Sequence, residues 1–92
     1  MIVSFRHKGL KIFFETGDVS KIQPNHAQKL RLILSRLQDS HDIKDMNLPG
    51  LNLHSLSGDF KNFWAVSVNG NWRLIFKFEN GEASFVDYLD YH

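Results

Sequence analysis

The stretch that decides the fold runs from residue 64 to residue 90 and reads WAVSVNGNWRLIFKFENGEASFVDYLD. Apolar and polar residues alternate through most of it, which is the period of a half-buried strand, and two turn signals interrupt the alternation. Asn80-Gly81 is the favoured two-residue hairpin turn, whereas Asn69-Gly70-Asn71 is compatible with a loop of two or three residues. The stretch therefore predicts three antiparallel strands joined in sequence order.

The turns also predict how these strands pair. The second turn sets Glu79 opposite Glu82. At the first turn, only a three-residue loop with an Asn in the left-handed conformation places Trp64 on the face of Trp72, and only this register gives one continuous apolar face. That predicted face consists of Trp64, Val66, Val68, Trp72, Leu74, Phe76, Phe78, Phe85 and Leu89. The opposite face is predicted to carry Ser67, Arg73, Ile75, Lys77, Val86, Tyr88, Asp90 and His92.

Upstream of residue 51 the hydrophobic period is helical. Residues 2–5 are a strand candidate, and residues 8–15 predict a short helix that ends before Gly17. A longer helix opens at Pro24 and carries the apolar stripe Ala27, Leu30, Ile33, Leu34 and Leu37. Residues 42–46 predict one more turn, and residues 51–54 predict a strand that sends its leucines to the helices and His54 to the other side. The fold class is therefore α+β, with an N-terminal strand and two helices packed on one face of a C-terminal, mainly antiparallel sheet.

Composition limits the classes of function. The chain has 92 residues, of which 42% are hydrophobic and 23% charged, and we expect residues 1–92 to form one domain. Without cysteine there is no disulfide framework, thiolate metal site or cysteine nucleophile. No apolar run is long enough to span a membrane and the start is unlike a signal peptide, so we expect a cytoplasmic protein. The net charge is only +1, but residues 1–46 hold eight Lys and Arg against five Asp and Glu, so an anionic partner would be attracted mainly by that half.

Three separated segments bring chemically active side chains to the predicted helix-free face. Histidine is the side chain best suited to proton transfer near neutral pH, so of His54 and His92 one can accept a proton and the other donate one. Arg73 offers fixed donors suited to a phosphate, and Asp90 lies nearby in the sequence of the last strand. This set suits metal-free RNA cleavage, in which the 2′-OH attacks the adjacent phosphate and a cation stabilises the crowded phosphorane.

The same residues allow other interpretations. His54, His92 and Asp90 make two histidines and a carboxylate, although their spacing matches no metal motif. Taken alone, Arg73 is equally consistent with a cross-strand partner of Tyr88, and the chain end with a frayed terminus. The remaining histidines, His7, His26 and His41, are expected at the surface.

The whole chain resembles the RelE/ParE superfamily of bacterial toxins, and within it the HigB-type branch that includes HigB and GraT. The resemblance is carried by residues 4–11 (SFRHKGLK), 53–59 (LHSLSGD), 71–73 (NWR), 79–83 (ENGEA) and 87–92 (DYLDYH). It implies the toxin of a type II toxin–antitoxin system, an mRNA endonuclease that cuts codons in the 30S A site of the ribosome without a cofactor. It further implies silencing by a HigA-type antitoxin with a helix-turn-helix domain, through which alone operator DNA would be bound.

Carried over by position, the family's functional residues are His54, Arg73, Asp90, Tyr91 and His92. We add Lys77, Lys61 and Tyr88 as candidate RNA-binding residues. One departure stands out, because many relatives have His-Pro-Leu-Lys-Gly-Asp in the loop where this chain has Ser55 and Ser57. The missing lysine removes a cation that Lys61 or Lys77 would have to replace. Two alternatives follow: a non-enzymatic ParE-like inhibitor of DNA gyrase, and a catalytically weakened toxin kept as an antitoxin-binding partner.

Overall fold

A computed structural model of the chain describes residues 1–90, which contain two α-helices and one four-stranded sheet in the order β1-β2-β3-β4. Three short 3-10 helices, Pro24–His26, Ile43–Met46 and Gly58–Phe60, lie between these elements. The elements are α1 (Lys8–Thr16), α2 (Ala27–Asp39), β1 (His54–Ser55), β2 (Trp64–Asn69), β3 (Trp72–Glu79) and β4 (Glu82–Asp90). All strand pairs are antiparallel, so the predicted fold class is confirmed.

Both predicted helices are present. Gly17 ends α1 in the left-handed conformation at φ 82°, as its position after the helix predicts. In α2 the residues of the apolar stripe are buried from Leu30 to Leu37, and Pro24 opens the 3-10 turn that leads into it. Residues 2–5 do not form a full strand. They pair in parallel with the outer edge of β4 through two bridges, Ile2 to Ala83 and Phe5 to Val86.

The first hairpin confirms the predicted register and corrects its turn. Trp64 pairs with Phe76 and Val66 with Leu74, as the continuous apolar face requires. Near the turn, however, the register shifts between Ser67 and Asn69. The loop is therefore two residues long, Gly70 takes the left-handed conformation at φ 55°, and the extra residue is absorbed by a bulge.

The second hairpin begins in the predicted register and then departs from it. Asn80 and Gly81 both have positive φ, which is the type I′ turn, and Glu79 pairs with Glu82. Between Ile75 and Lys77 the register slips by one residue, and on β4 the slip coincides with Phe85, whose φ is 53°. A single extra residue exchanges the faces of everything that follows it. The predicted sides of Phe85, Val86, Tyr88, Leu89 and Asp90 are therefore wrong.

The helix face of the sheet is the side on which the main core lies. Val86 and Tyr88 join this core, together with Leu10, Phe13 and the stripe of α2. The remaining core residues of the sheet are Val66, Val68, Leu74, Phe76 and Ala83.

The open face of the sheet is the opposite side, and it is not as polar as predicted. Phe63, Ala65 and Ile75 form a second small cluster there, with Leu56, Phe60 and Leu89 packed against it. The loop after β1 folds back onto this face, where the Leu56 amide donates to the Phe63 carbonyl at 2.9 Å. Folding therefore covers part of the face with a loop and leaves the rest accessible.

Candidate active site

His54 reaches the open face from β1 at the edge of the sheet. It pairs with Ala65, which in turn pairs with Ile75, so His54 shares the face of these residues as predicted. Its side chain is exposed, and Nδ1 lies 2.8 Å from the carbonyl oxygen of Asn52. Because a carbonyl only accepts, Nδ1 carries the hydrogen, and in the neutral ring Nε2 is the nitrogen able to take a proton. The local backbone thus presents a proton acceptor to solvent.

Arg73 lies on the same face, two strands away. Its cross-strand neighbour is Ser67 on β2, and the Arg73 side chain is only partly exposed. One nitrogen, Nη1, donates to the Gly70 carbonyl at 2.6 Å and to the Trp72 carbonyl at 3.1 Å. Strands are spaced about 4.8 Å apart, so the backbones of His54 and Arg73 lie on the order of 10 Å apart across the sheet. The hairpin turn therefore holds the Arg73 guanidinium in a fixed position on the face that carries His54.

Asp90 is placed differently from the prediction. It pairs with Trp72 and therefore stands on the helix face, whereas Arg73 pairs with Leu89 on the open face. Asp90 is exposed, and it lies at the same end of the sheet as Arg73. The other two candidates from the chain end, Tyr91 and His92, lie outside the described residues.

Tyr88 is the clearest correction among the candidate RNA-binding residues. The bulge at Phe85 turns it into the core, where only 4% of its surface is exposed, so its ring cannot stack on a base. Burial raises the pKa of the Tyr88 hydroxyl, opposed by a backbone hydrogen bond at Gln23. Its ring stacks on Trp72 with 4.7 Å between the centroids.

His26 was predicted at the surface and is instead buried beneath this end of the sheet. Its Nδ1 lies 2.6 Å from the Tyr88 hydroxyl, and its ring meets Trp72 edge-on at 5.6 Å. The contact ties the start of α2 to the strand that ends at Asp90. The only available sequence signal was its position directly before the apolar stripe of the helix, which does not distinguish a buried cap from an exposed one.

The two candidate lysines differ in their surroundings. Lys61 follows the 3-10 helix Gly58–Phe60 and is exposed. Lys77 lies on the open face with its ammonium 5.4 Å from the ring centroids of both Phe63 and Phe85. Ser57, directly before the 3-10 helix Gly58–Phe60, is exposed.

Within residues 1–90, no three His, Asp or Glu side chains gather closely enough to hold a metal ion. His54 and Asp90 lie on opposite faces of the sheet, and His92, the third residue of the metal alternative, is outside the described part. Across the same residues, no helix combines the length and apolar character needed to cross a membrane.

Two helices packed on one face of a four-stranded antiparallel sheet make an α+β domain that is consistent with the fold of a RelE-like toxin. The chain belongs to the HigB-like toxin family, described as the RelE-like toxin of the type II toxin–antitoxin system HigB, whose model matches residues 3–92. It is 38% identical over 92 residues to endoribonuclease HigB of Proteus vulgaris, covering 100% of both chains. It is 29% identical to toxin HigB-1 of Vibrio cholerae, covering 100% of this chain and 98% of that toxin. An uncharacterized protein of Haemophilus influenzae is 36% identical over 90 residues, covering 96% of this chain and 88% of that protein.

Proposed function

We propose that this type II toxin is a metal-independent mRNA endonuclease that cuts in the A site of the 30S subunit. That the chain is an endoribonuclease follows from its full-length relationship to the Proteus vulgaris enzyme within one toxin family. The single observation that supports the chemistry is the shared surface of His54 and Arg73. One presents Nε2 as a proton acceptor, and the other is held in place by two backbone carbonyls.

The proposed reaction is an internal displacement at phosphorus. His54 Nε2 accepts the 2′-OH proton while the 2′ oxygen bonds to the adjacent phosphorus, and the bond from phosphorus to the 5′ oxygen breaks. His92 protonates the departing 5′ oxygen, leaving a 2′,3′-cyclic phosphate and a 5′-hydroxyl. Arg73 stabilises the charge of the phosphorane. Asp90, which lies at the same end of the sheet as Arg73 but on the helix face, and Tyr91 are further proposed site residues with no assigned proton-transfer step. No metal or cofactor takes part in these steps.

The partner of a type II toxin is an antitoxin. We propose that here it is a HigA-type protein with a helix-turn-helix domain, that operator DNA is bound only through it, and that the pair works in the cytoplasm. A neighbouring reading frame for a helix-turn-helix protein of roughly 100 residues, a usual domain length, would support the pairing. An unrelated neighbour that neutralises the toxin would contradict it.

The reaction is tested with purified toxin, ribosomes and a bound mRNA. His54→Ala should lower single-turnover cleavage by about 10²–10⁴-fold, the scale of losing a general base. His41→Ala is the matched control, because His41 is an exposed histidine beside the 3-10 helix Ile43–Met46 and outside the proposed site. Both variants should fold like the wild type by circular dichroism.

Two changes to the reaction mixture test the route. An mRNA with a 2′-deoxynucleotide at the cut position should not be cleaved, and excess EDTA should not slow the wild-type enzyme once ribosome integrity is controlled. Cleavage of the deoxy substrate would contradict attack by the 2′-OH. Inhibition of gyrase supercoiling without any RNA cleavage would replace the proposal by the ParE-like alternative.

A further inference from the structure

An exposed aromatic ring lies beside two cations on the open face, away from His54 and Arg73. Phe85 is 46% exposed. The Arg6 guanidinium lies 5.8 Å and the Lys77 ammonium 5.4 Å from its ring centroid. Both cations also lie 5.4 Å from the ring of Phe63. We refer to Arg6, Phe63, Lys77 and Phe85 as the cation–aromatic cluster.

The backbone at Phe85 is strained to produce this arrangement. Its φ of 53° lies in the left-handed region, which costs a residue with a side chain about 1–2 kcal/mol. The N-terminal segment holds the strained conformation, since the Phe85 amide donates to Ser4 Oγ at 2.8 Å and the Arg6 amide donates to the Val86 carbonyl at 2.8 Å. The same contacts therefore fix the outward ring and place Arg6 beside it. Glycine would make this bulge without strain, so the bulge itself does not require an aromatic residue.

The charges of the cluster indicate the kind of ligand. Within residues 1–90 the contacts of Arg6 and Lys77 are with ring faces and not with carboxylates. Two neighbouring cations repel one another, and an anion placed between them would relieve that repulsion. An accessible ring beside two cations matches single-stranded nucleic acid, in which a base stacks on the ring and the phosphate meets the cations. An acidic peptide would use the charges but not the exposed ring.

We propose that the cation–aromatic cluster binds a nucleotide of the mRNA substrate that flanks the cleaved phosphate. This inference rests on the proposed endoribonuclease function and extends its substrate site. Lys77 and Arg73 are on the same face of β3, four residues apart, which is about 13 Å along the strand. An RNA strand that crosses over the small apolar cluster covering Ile75 would reach from the reacting phosphate at Arg73 to the cation–aromatic cluster. Lys77 therefore acts in binding the substrate strand and does not replace the missing loop cation in the chemical step.

The direct test is binding of an RNA that cannot be cleaved. The probe is a fully 2′-O-methylated oligoadenylate of about eight nucleotides, within the usual site size of single-strand binders, and the readout is fluorescence anisotropy. Phe85→Gly removes the ring and keeps the bulge, so affinity should fall on the order of ten-fold or more, while Phe85→Tyr should preserve it. Lys77→Gln should reduce the salt dependence of binding. The slope of log binding constant against log salt concentration should become shallower by roughly 0.7, the value for one phosphate contact on a single strand. Lys44→Gln, at an exposed lysine in the 3-10 helix Ile43–Met46, is the matched control and should change neither quantity.

Cleavage on ribosomes separates binding from chemistry. Phe85→Gly should raise KM for mRNA-loaded ribosomes and leave kcat within about two-fold, because the cluster contacts no reacting atom. A wild-type toxin that fails to bind the probe, or a Phe85→Gly variant that binds it equally well, would overturn the inference while leaving the cleavage mechanism intact. Failure of cleavage with intact, ring-dependent probe binding would instead overturn the proposed function alone.

Two further outcomes would assign the cluster to other partners. If Phe85→Gly weakens binding to vacant ribosomes but not to the probe, the nucleotide belongs to ribosomal RNA and the assignment to the substrate strand is wrong. If Phe85→Gly loses affinity only for the cognate antitoxin in calorimetry, the cluster is a protein interface and the RNA assignment is wrong.

Discussion

Replacing Phe85 by glycine or by alanine should reverse the ordinary order of stability for these two residues in a strand. At a typical strand position, glycine is less stable than alanine by about 0.5–1 kcal/mol because it loses more conformational freedom on folding. At φ 53° alanine keeps a left-handed cost of about 1–2 kcal/mol, which glycine does not have. The difference leaves Phe85→Gly more stable than Phe85→Ala by about 0.5–1 kcal/mol.

The terms common to both variants do not affect this comparison. Each variant loses the apolar burial of a ring that is 46% exposed, which is worth about 1 kcal/mol. Each also loses two cation–π contacts, which at exposed sites are worth about 0.5–1 kcal/mol apiece. Phe85→Ala should therefore be less stable than the wild type by about 2–3 kcal/mol, and Phe85→Gly by about 1–2 kcal/mol.

The assay is urea unfolding followed by circular dichroism, supported by thermal melts in which a difference of 1 kcal/mol corresponds to about 4–8 °C for a chain of this size. Ser84, the preceding residue of β4, has no positive φ and serves as the control position. There, glycine should be the less stable member of the pair. If Phe85→Gly proves equal to or less stable than Phe85→Ala, the backbone at Phe85 is not strained. The interpretation that the protein tolerates backbone strain at the bulge in order to expose the Phe85 ring would then be wrong.

Substitutions at three further positions have defined outcomes. Arg73→Ala should lower single-turnover cleavage by about 10²-fold or more without unfolding the protein. Arg73→Lys should recover only part of the lost cleavage rate, because one ammonium does not replace the planar guanidinium with its paired donors. An unfolded Arg73→Ala variant would indicate a structural role instead. Ser57→Lys supplies the loop cation that the resemblance in sequence implies, and it should raise cleavage mainly at low salt. Slower cleavage at both low and high salt would show that Ser57 does not mark a missing catalytic cation. Tyr88→Phe leaves the buried His26 without its partner and should reduce the free energy of unfolding by about 1–3 kcal/mol. Burial raises the pKa of Tyr88, so the stability linked to its proton is fully present below the unfolded pKa of about 10 and is lost as pH rises through the folded pKa. The difference in free energy of unfolding between wild type and Tyr88→Phe should therefore become smaller in alkali. A difference that becomes larger there would contradict this.

Much of the fold was predictable from the sequence because its signals are local. The Asn80-Gly81 turn depends on two residues that tolerate positive φ, and the structure has both in that conformation. The buried stripe of α2 follows from the spacing of apolar residues along a single helix. The register of β2 on β3 followed from requiring one continuous apolar face, and it placed Arg73 on the opposite face. His54 was predicted on that face because the neighbouring leucines were expected to point to the helices.

Tertiary structure alone decided the positions that depend on the bulge at Phe85. Nothing in a phenylalanine between Ser84 and Val86 indicates a left-handed backbone, since that conformation is disfavoured for its residue type and is held by Ser4 from the other end of the chain. One slip of register then sent Tyr88 into the core and Asp90 to the helix face. The burial of His26 has the same origin, because its partner is a hydroxyl that reaches it only after the slip. The sequence by itself therefore determined the elements and the face that holds His54 and Arg73, while long-range contacts to β4 determined that Tyr88 and Asp90 lie on the other face.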